Sequence, residues 1–293
     1  MTMISADKQR ILILGATGML GHAIFRLLAA APAFEVHATA RSTAGLRLLP
    51  QHLHSRTLCG VDVENPDALV DIFGRSRPDV VINCIGLVKQ LAGADDPLAA
   101  LPINAILPHR LSRMCRLVSA RLIHVSTDCV FNGSKGGYLE SDAADATDLY
   151  GRSKLLGEVV HEPHAVTLRT SIIGHELAGE RSLVGWFLAQ RRPVQGYRRA
   201  VFSGLPTVEL ARVIRDHVLP RPDLHGLYHV SGDAIDKFRL LTLVAAAYGH
   251  DTEIIENSEF VIDRSLDSTR FRLAAGYQPA PWETLVKCMH QFQ

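Results

Sequence analysis

The stretch Ile11-Leu12-Ile13-Leu14-Gly15-Ala16-Thr17-Gly18-Met19-Leu20-Gly21 decides the fold. Its first four residues are a continuous apolar run, the mark of a parallel strand buried on both faces. The glycines that follow are spaced G-x-x-G-x-x-G. Leu20, Ile24, Leu27, Leu28 and Ala31 then recur at helical spacing, so the glycines fall where a strand ends and a helix begins. Backbone that carries no side chain there can approach a pyrophosphate held by the N–H groups of the helix terminus. The order strand, glycine turn, helix predicts dinucleotide binding, with Gly15, Thr17, Gly18, Met19 and Leu20 at the phosphates.

Outward from this turn, the second strand is expected over Phe34 to Ala40, and the residues after it select the dinucleotide. An acid there accepts hydrogen bonds from the adenosine ribose, whereas an arginine accommodates a 2′-phosphate. The strand ends in Thr39-Ala40-Arg41-Ser42. Its only acid, Glu35, lies six residues before Arg41, about 20 Å away at strand rise. Arg41 and Ser42 thus favour NADPH, with NADH an acceptable substitute.

A third strand is expected over Leu58 to Val63, where Asp62 can accept from the adenine amino group or cap the helix after Pro66. A fourth spans Val80 to Gly86, and its small end, Cys84-Ile85-Gly86, lets backbone pack on the cofactor. Asn104 belongs to the next helical segment, and the fifth strand, Arg121 to Ser126, delivers Thr127 to the same edge. Strands alternating with helices at this spacing imply right-handed crossovers and an α/β fold with a doubly wound parallel sheet, a Rossmann arrangement. Ligands of such sheets bind beyond the strand C-termini.

From Val125 to Lys154 the chain carries the chemistry. Tyr150 and Lys154 stand at i and i+4, one face of a helix. At roughly 4 Å and an effective dielectric of about 20, one positive charge is worth about 4 kcal/mol, about three pKa units. Lys154 is therefore expected to bring the Tyr150 phenol toward working range, and a hydroxyl of Ser126 or Thr127 to hold a carbonyl oxygen beside it.

With 293 residues, 47% of them apolar, the chain can bury the core of two domains. A net charge of +1, from 31 basic and 30 acidic residues, offers no general attraction to nucleic acid or anionic membrane. Cys59, Cys84, Cys115, Cys129 and Cys288 form no C-x-x-C pair and are expected to be reduced thiols in the cytoplasm. No leader-like segment precedes Arg10, and no run of 18 apolar residues occurs. His52-x-His54 and His161-x-x-His164 lack an acidic third ligand, so no metal is expected.

Together the glycine turn, Ser126-Thr127-Asp128 and Tyr150-x-x-x-Lys154 resemble an extended short-chain dehydrogenase/reductase. The strings Thr127-Asp128-Cys129-Val130-Phe131-Asn132-Gly133, Tyr150-Gly151-Arg152-Ser153-Lys154 and Leu168-Arg169-Thr170-Ser171 are closest to its dTDP-4-dehydrorhamnose reductase branch. The resemblance implies catalysis by Thr127, Tyr150 and Lys154. It implies a cofactor contacted by Gly15, Thr17, Gly18, Met19, Leu20, Arg41, Ser42, Asp62, Val63, Cys84, Ile85, Gly86, Asn104, Ser126, Tyr150, Lys154 and Arg169. The substrate, a nucleotide-linked 4-keto deoxysugar used for surface polysaccharide, would meet Thr127, Asp128, Val130, Phe131 and Trp186. Arg264 and Arg270 would clamp its diphosphate.

The resemblance further implies a cofactor domain of residues 8–165 plus 200–222, a smaller α/β substrate-binding lid of 166–199 plus 223–293, and a homodimer. Related nucleotide-sugar dehydratases carry Thr-Asp-Glu, where this chain has Cys129, a poor substitute for a carboxylate. Related epimerases retain bound NAD, which Arg41 disfavours. A regulatory subunit of methionine adenosyltransferase resembles the same branch and acts as a partner protein, the alternative outside catalysis.

Overall fold

Alternate residues of the first strand, β1 (Gln9–Leu14), enter two separate cores. Ile11 and Ile13 join Ile24, Phe25 and Leu28, whereas Leu12 and Leu14 join Leu69, Phe73 and Leu111. Side chains alternate across a strand, so an all-apolar run needs cover on both faces, which helices supply. The computed structural model describes residues 8–89 and 93–292. Residues 1–7, on which part of the leader reading rests, lie outside the described residues.

β1 is an interior strand of a seven-stranded sheet with β2 (Phe34–Ala40), β3 (Thr57–Cys59), β4 (Val80–Asn83), β5 (Arg121–Thr127), β6 (Ala165–Thr170) and a last strand, Gly226–His229. The order runs from Gly226–His229 through β6, β5, β4, β1 and β2 to β3. Every neighbouring pair is parallel. Strand order reverses at β1 and β4, and the crevice of a doubly wound sheet opens beyond the strand ends at such a point. The expected fold class is the observed one.

Two expected strands end sooner than their sequences suggested. β3 stops at Cys59, where Gly60 takes a left-handed φ of 77°. β4 stops at Asn83, whose side chain accepts from the Ile85 N–H at 3.1 Å and turns the chain out of the ladder. The proposed division of the chain also needs correction. β6 and Gly226–His229, which it assigned to the lid, are hydrogen-bonded members of the central sheet. The boundaries at 165 and 222 therefore cut the sheet itself. Small two- and three-stranded pairings among residues 172–206, 235–236, 254–257 and 262–263 lie outside it.

Local capping explains how helices start at the C-terminal edge. Asp148 accepts from the Gly151 N–H at 2.8 Å and starts the Leu149–Leu156 helix. Asp236 likewise starts Lys237–Tyr248, which ends at Gly249 in the left-handed region. Between Pro97–Leu101 and Leu107–Leu117 the helix widens into a π turn, Pro102–Ile106, which carries Asn104 inward.

Candidate active site

The helix α1 (Met19–Ala29) begins directly after the glycine turn, with no side-chain cap and no acid in its first turn. Its N–H groups and dipole are left for an external anion. Gly15 has a φ of +89°, and a Cβ on Gly21 would stand 1.9 Å from the Gly15 carbonyl oxygen. Only glycine permits that approach, which sets strand end against helix start. Beyond this turn lies a cleft of about 520 Å³, in the range of small-ligand sites. Thr17, Gly18, Met19 and Leu20 line one side, and Cys84, Ile85 and Gly86 another. The residues present thus fit a dinucleotide: an open helix terminus, a close-packed turn and a cleft beside both.

At the far side Ser126, Thr127, Asp128, Tyr150 and Lys154 line the same cleft. A Cβ on Gly151 would stand 2.2 Å from the Cys129 carbonyl oxygen, so the helix of Tyr150 sits directly on the turn that follows Thr127. The Thr127 hydroxyl donates to Asp128 Oδ1 at 3.2 Å and accepts from the Cys129 N–H at 3.1 Å, and it lines the same wall as the Tyr150 phenol. Lys154 Nζ donates to the Val125 carbonyl at 2.8 Å.

The electrostatics depart from expectation. Burial pushes the Tyr150 phenol well above its usual value, with Cys129 adding to the rise and Thr127 opposing it. Burial also lowers Lys154 to about 8, against the carboxylate of Glu158, which raises it. Lys154 therefore does not bring Tyr150 down toward neutrality: the phenol stays protonated at neutral pH, the form a proton donor needs. Burial holds Cys84 at about 12 and Cys129 at about 11, so neither thiol is a base there.

Ser126 lines the cleft but its hydroxyl faces away, donating to Glu158 Oε1 at 2.7 Å. Arg169 was expected at the cofactor and is instead beneath the floor, bonded through Nε and a terminal nitrogen to the two Glu158 oxygens, each at 2.7 Å. Both side chains are 5% exposed. Asn104 also lies behind the cleft, its amide nitrogen donating to the Leu87 carbonyl at 3.0 Å and Ser153 Oγ at 3.1 Å. It ties the backbone after β4 to the helix of Tyr150.

Other expected residues take structural places. Arg41 and Ser42 follow β2 and are exposed; Ser42 Oγ caps a short helix by accepting from Gly45 N–H at 3.4 Å. Asp62 accepts from Glu64 N–H at 3.0 Å, and Val63 is buried in the second core. Val130 and Phe131 are fully buried, Phe131 stacked on Tyr138 at 4.1 Å, too deep to meet a substrate. Trp186 is 39% exposed and does not line the cleft. The two arginines of the expected clamp do not converge. Arg264 donates to the Phe131 carbonyl at 2.8 Å beside Cys129, whereas Arg270 lies over the Tyr228 ring at 4.7 Å, on a separate surface pocket.

Lys89, Phe202 and Lys237 also line the cleft, and sequence reasoning passed over them. Lys89 pairs with Asp148 at 2.6 Å and stands 5.6 Å from the Tyr150 ring centre. Lys237, at the start of its helix, lies 4.1 Å from the Phe202 ring centre and is lowered to about 8 by burial, with Asp128 opposing. Its only sequence signal was the Asp236 cap before it. Among the described residues, no group of three or more His, Cys, Asp or Glu side chains can hold a metal ion, and no helix is long and apolar enough to cross a membrane.

The dTDP-4-dehydrorhamnose reductase of Aggregatibacter actinomycetemcomitans is 24% identical over 302 residues, covering 95% of this chain and 97% of the relative. That of Escherichia coli (strain K12) is 28% identical over 228 residues, 75% of this chain and 71% of the relative. The solved dTDP-4-dehydrorhamnose reductase of Bacillus anthracis str. Ames, in complex with NADP, shares the fold with a TM-score of 0.80 at 21% identity, covering 98% of this chain and all of that one. The family described as RmlD substrate binding domain matches residues 9–291, from β1 to the last helix, and the chain belongs to that family.

Proposed function

We propose that this protein is an NADPH-dependent oxidoreductase that reduces the keto group of a nucleotide-linked 4-keto deoxysugar, as its relatives' names describe for dTDP-4-dehydrorhamnose. One observation carries this reading: Thr127 and Tyr150 share a cleft with Lys154 and the open terminus of α1. Bound NADPH supplies the hydride. The residues of the chain do the rest. The N–H groups of α1 hold phosphate, and Arg41, exposed beyond β2, meets the 2′-phosphate. As negative charge grows on the carbonyl oxygen, Tyr150 donates its proton there and Thr127 hydrogen-bonds the same oxygen. Lys154 orients the nicotinamide ribose and adds positive charge at the cleft floor.

Cys129 supports reduction over dehydration, because a thiol held at about 11 cannot replace the acid that elimination requires. A place in surface polysaccharide precursor synthesis, action in the cytoplasm, a lid built from the segments outside the sheet and a homodimer complete the reading. The test is loss of reduced-nicotinamide absorbance when the protein meets a panel of 4-keto nucleotide sugars. Reduction of at least one sugar is expected. No reduction of any, with a partner enzyme co-purifying, would overturn the catalytic reading in favour of a regulatory subunit.

A further inference from the structure

Directly beneath the reacting groups lies a buried polar assembly to which the reaction as described gives no role. Glu158 accepts three hydrogen bonds, each 2.7 Å: one from Ser126 at the end of β5 and two from Arg169 on β6. The Arg169 guanidinium also stands 5.2 Å from the Phe131 ring centre, and its other terminal nitrogen is 3.4 Å from His229 Nε2. Burying an ion pair costs desolvation that an apolar pair avoids, so the pair is a poor way to gain stability alone. Its placement gives the alternative: Glu158 stands just past the end of the Lys154 helix, which stops at Leu156, and accepts from the residue before Thr127.

We propose that Glu158 is a positioning residue for the reaction: clamped by Arg169, it fixes the Ser126–Thr127 backbone and supplies the counter-charge to Lys154. The inference rests on the reductase reading for its purpose, though not for its test. Around Lys154 the titratable neighbours are Glu158, Cys84 at the end of β4, His124 on β5 and Tyr150 one turn before it. His124 is held neutral by burial, and Cys84 keeps its proton. Among the described residues, Glu158 is thus the carboxyl group that acts on Lys154. Without it, the ammonium would share the buried floor with Arg169 alone.

The test uses the full chain as Glu158→Gln, with the double variant Glu158→Gln/Arg169→Met in case the single one leaves Arg169 too costly to bury. The Cε signal of Lys154, assigned by its loss in Lys154→Met, is titrated by NMR without substrate. Removing the anion should move its midpoint acidward by about one pH unit. The alkaline limb of kcat should follow while KM for the nucleotide sugar holds. A stability role alone would lower the unfolding temperature and leave both midpoints in place. An unmoved Lys154 midpoint in both variants overturns the inference. If the wild-type chain reduces no sugar, the reductase reading fails, and the Lys154 midpoint still decides this one.

Discussion

Thr127 and Tyr150 come from different elements, a strand end and a helix start, and both line the wall of one cleft. A carbonyl oxygen seated on that wall meets both hydroxyls at once. Tyr150→Phe removes the proton donor and leaves the cofactor side intact. Turnover should fall by about 10²–10⁴-fold, the usual worth of a general acid, with NADPH affinity unchanged by fluorescence titration. Turnover at the wild-type rate would remove Tyr150 from the mechanism.

The pH dependence follows from Lys154. Its folded value, about 8, lies below the ordinary lysine value, so the ammonium is present below that pH and is lost as pH rises through it. Turnover should decline across the same interval. Tyr150, pushed upward by burial, keeps its proton there. A rate constant flat to well above pH 8 would show that the Lys154 charge is dispensable.

Arg41 is exposed and bears no acid beside it on β2. Arg41→Asp should weaken NADPH relative to NADH by about 10–100-fold, the worth of one charge-assisted hydrogen bond plus a repulsive pair. Parallel binding curves for the two nucleotides check it. An unchanged ratio refutes the phosphate contact.

His229 is buried against Tyr138 and Arg169 and lowered to about 4, first by burial and then by Arg169. Between its ordinary value and about 4 the unfolded chain binds a proton that the folded chain does not, so stability falls as pH falls through that window. The loss from this residue should be about 3 kcal/mol. Urea unfolding at neutral and mildly acidic pH measures it, and Glu158 and Arg169 should be among the first contacts released.

Lys237 is held mostly out of water, its ammonium disfavoured. Lys237→Met should stabilise the fold by about 1–2 kcal/mol, less than full desolvation because a lysine stem can reach solvent. It should also raise KM for the sugar nucleotide. A thermal shift together with steady-state kinetics separates the two effects; lower stability or an unchanged KM would count against a ligand role.

What was legible in the sequence was local. The turn from Gly15 to Gly21 could be read because strand, glycines and helix follow one another directly. Tyr150 and Lys154 could be read because i and i+4 share a helix face. The strand ends were placed by alternating elements, and the crevice followed from them. What was illegible depends on contacts between distant segments. Glu158 meets Arg169 across a turn and a strand, and Lys237 reaches Asp128 from the far end of the chain. Arg264 and Arg270, neighbours in sequence, face different surfaces. Lys154 was expected to act on Tyr150 at a distance typical of solvent-screened charges, whereas burial dominates both groups. The lid boundary came from the resemblance alone, and the pairing of β6 with β5 carries the sheet past it.

β6 and Gly226–His229 are adjacent strands, and the chain between them leaves the sheet at Thr170 and returns beside it. That excursion carries Phe202, Arg181 and other cleft residues. β6 and Gly226–His229 are parallel, so this segment starts at one edge of the sheet and ends at the opposite one, crossing its face with Leu210, Ala211, Val213 and Ile214 buried in the first core. One crossover therefore both covers the sheet and supplies part of the cleft wall, so a change in its length is felt in the core and in the cleft together.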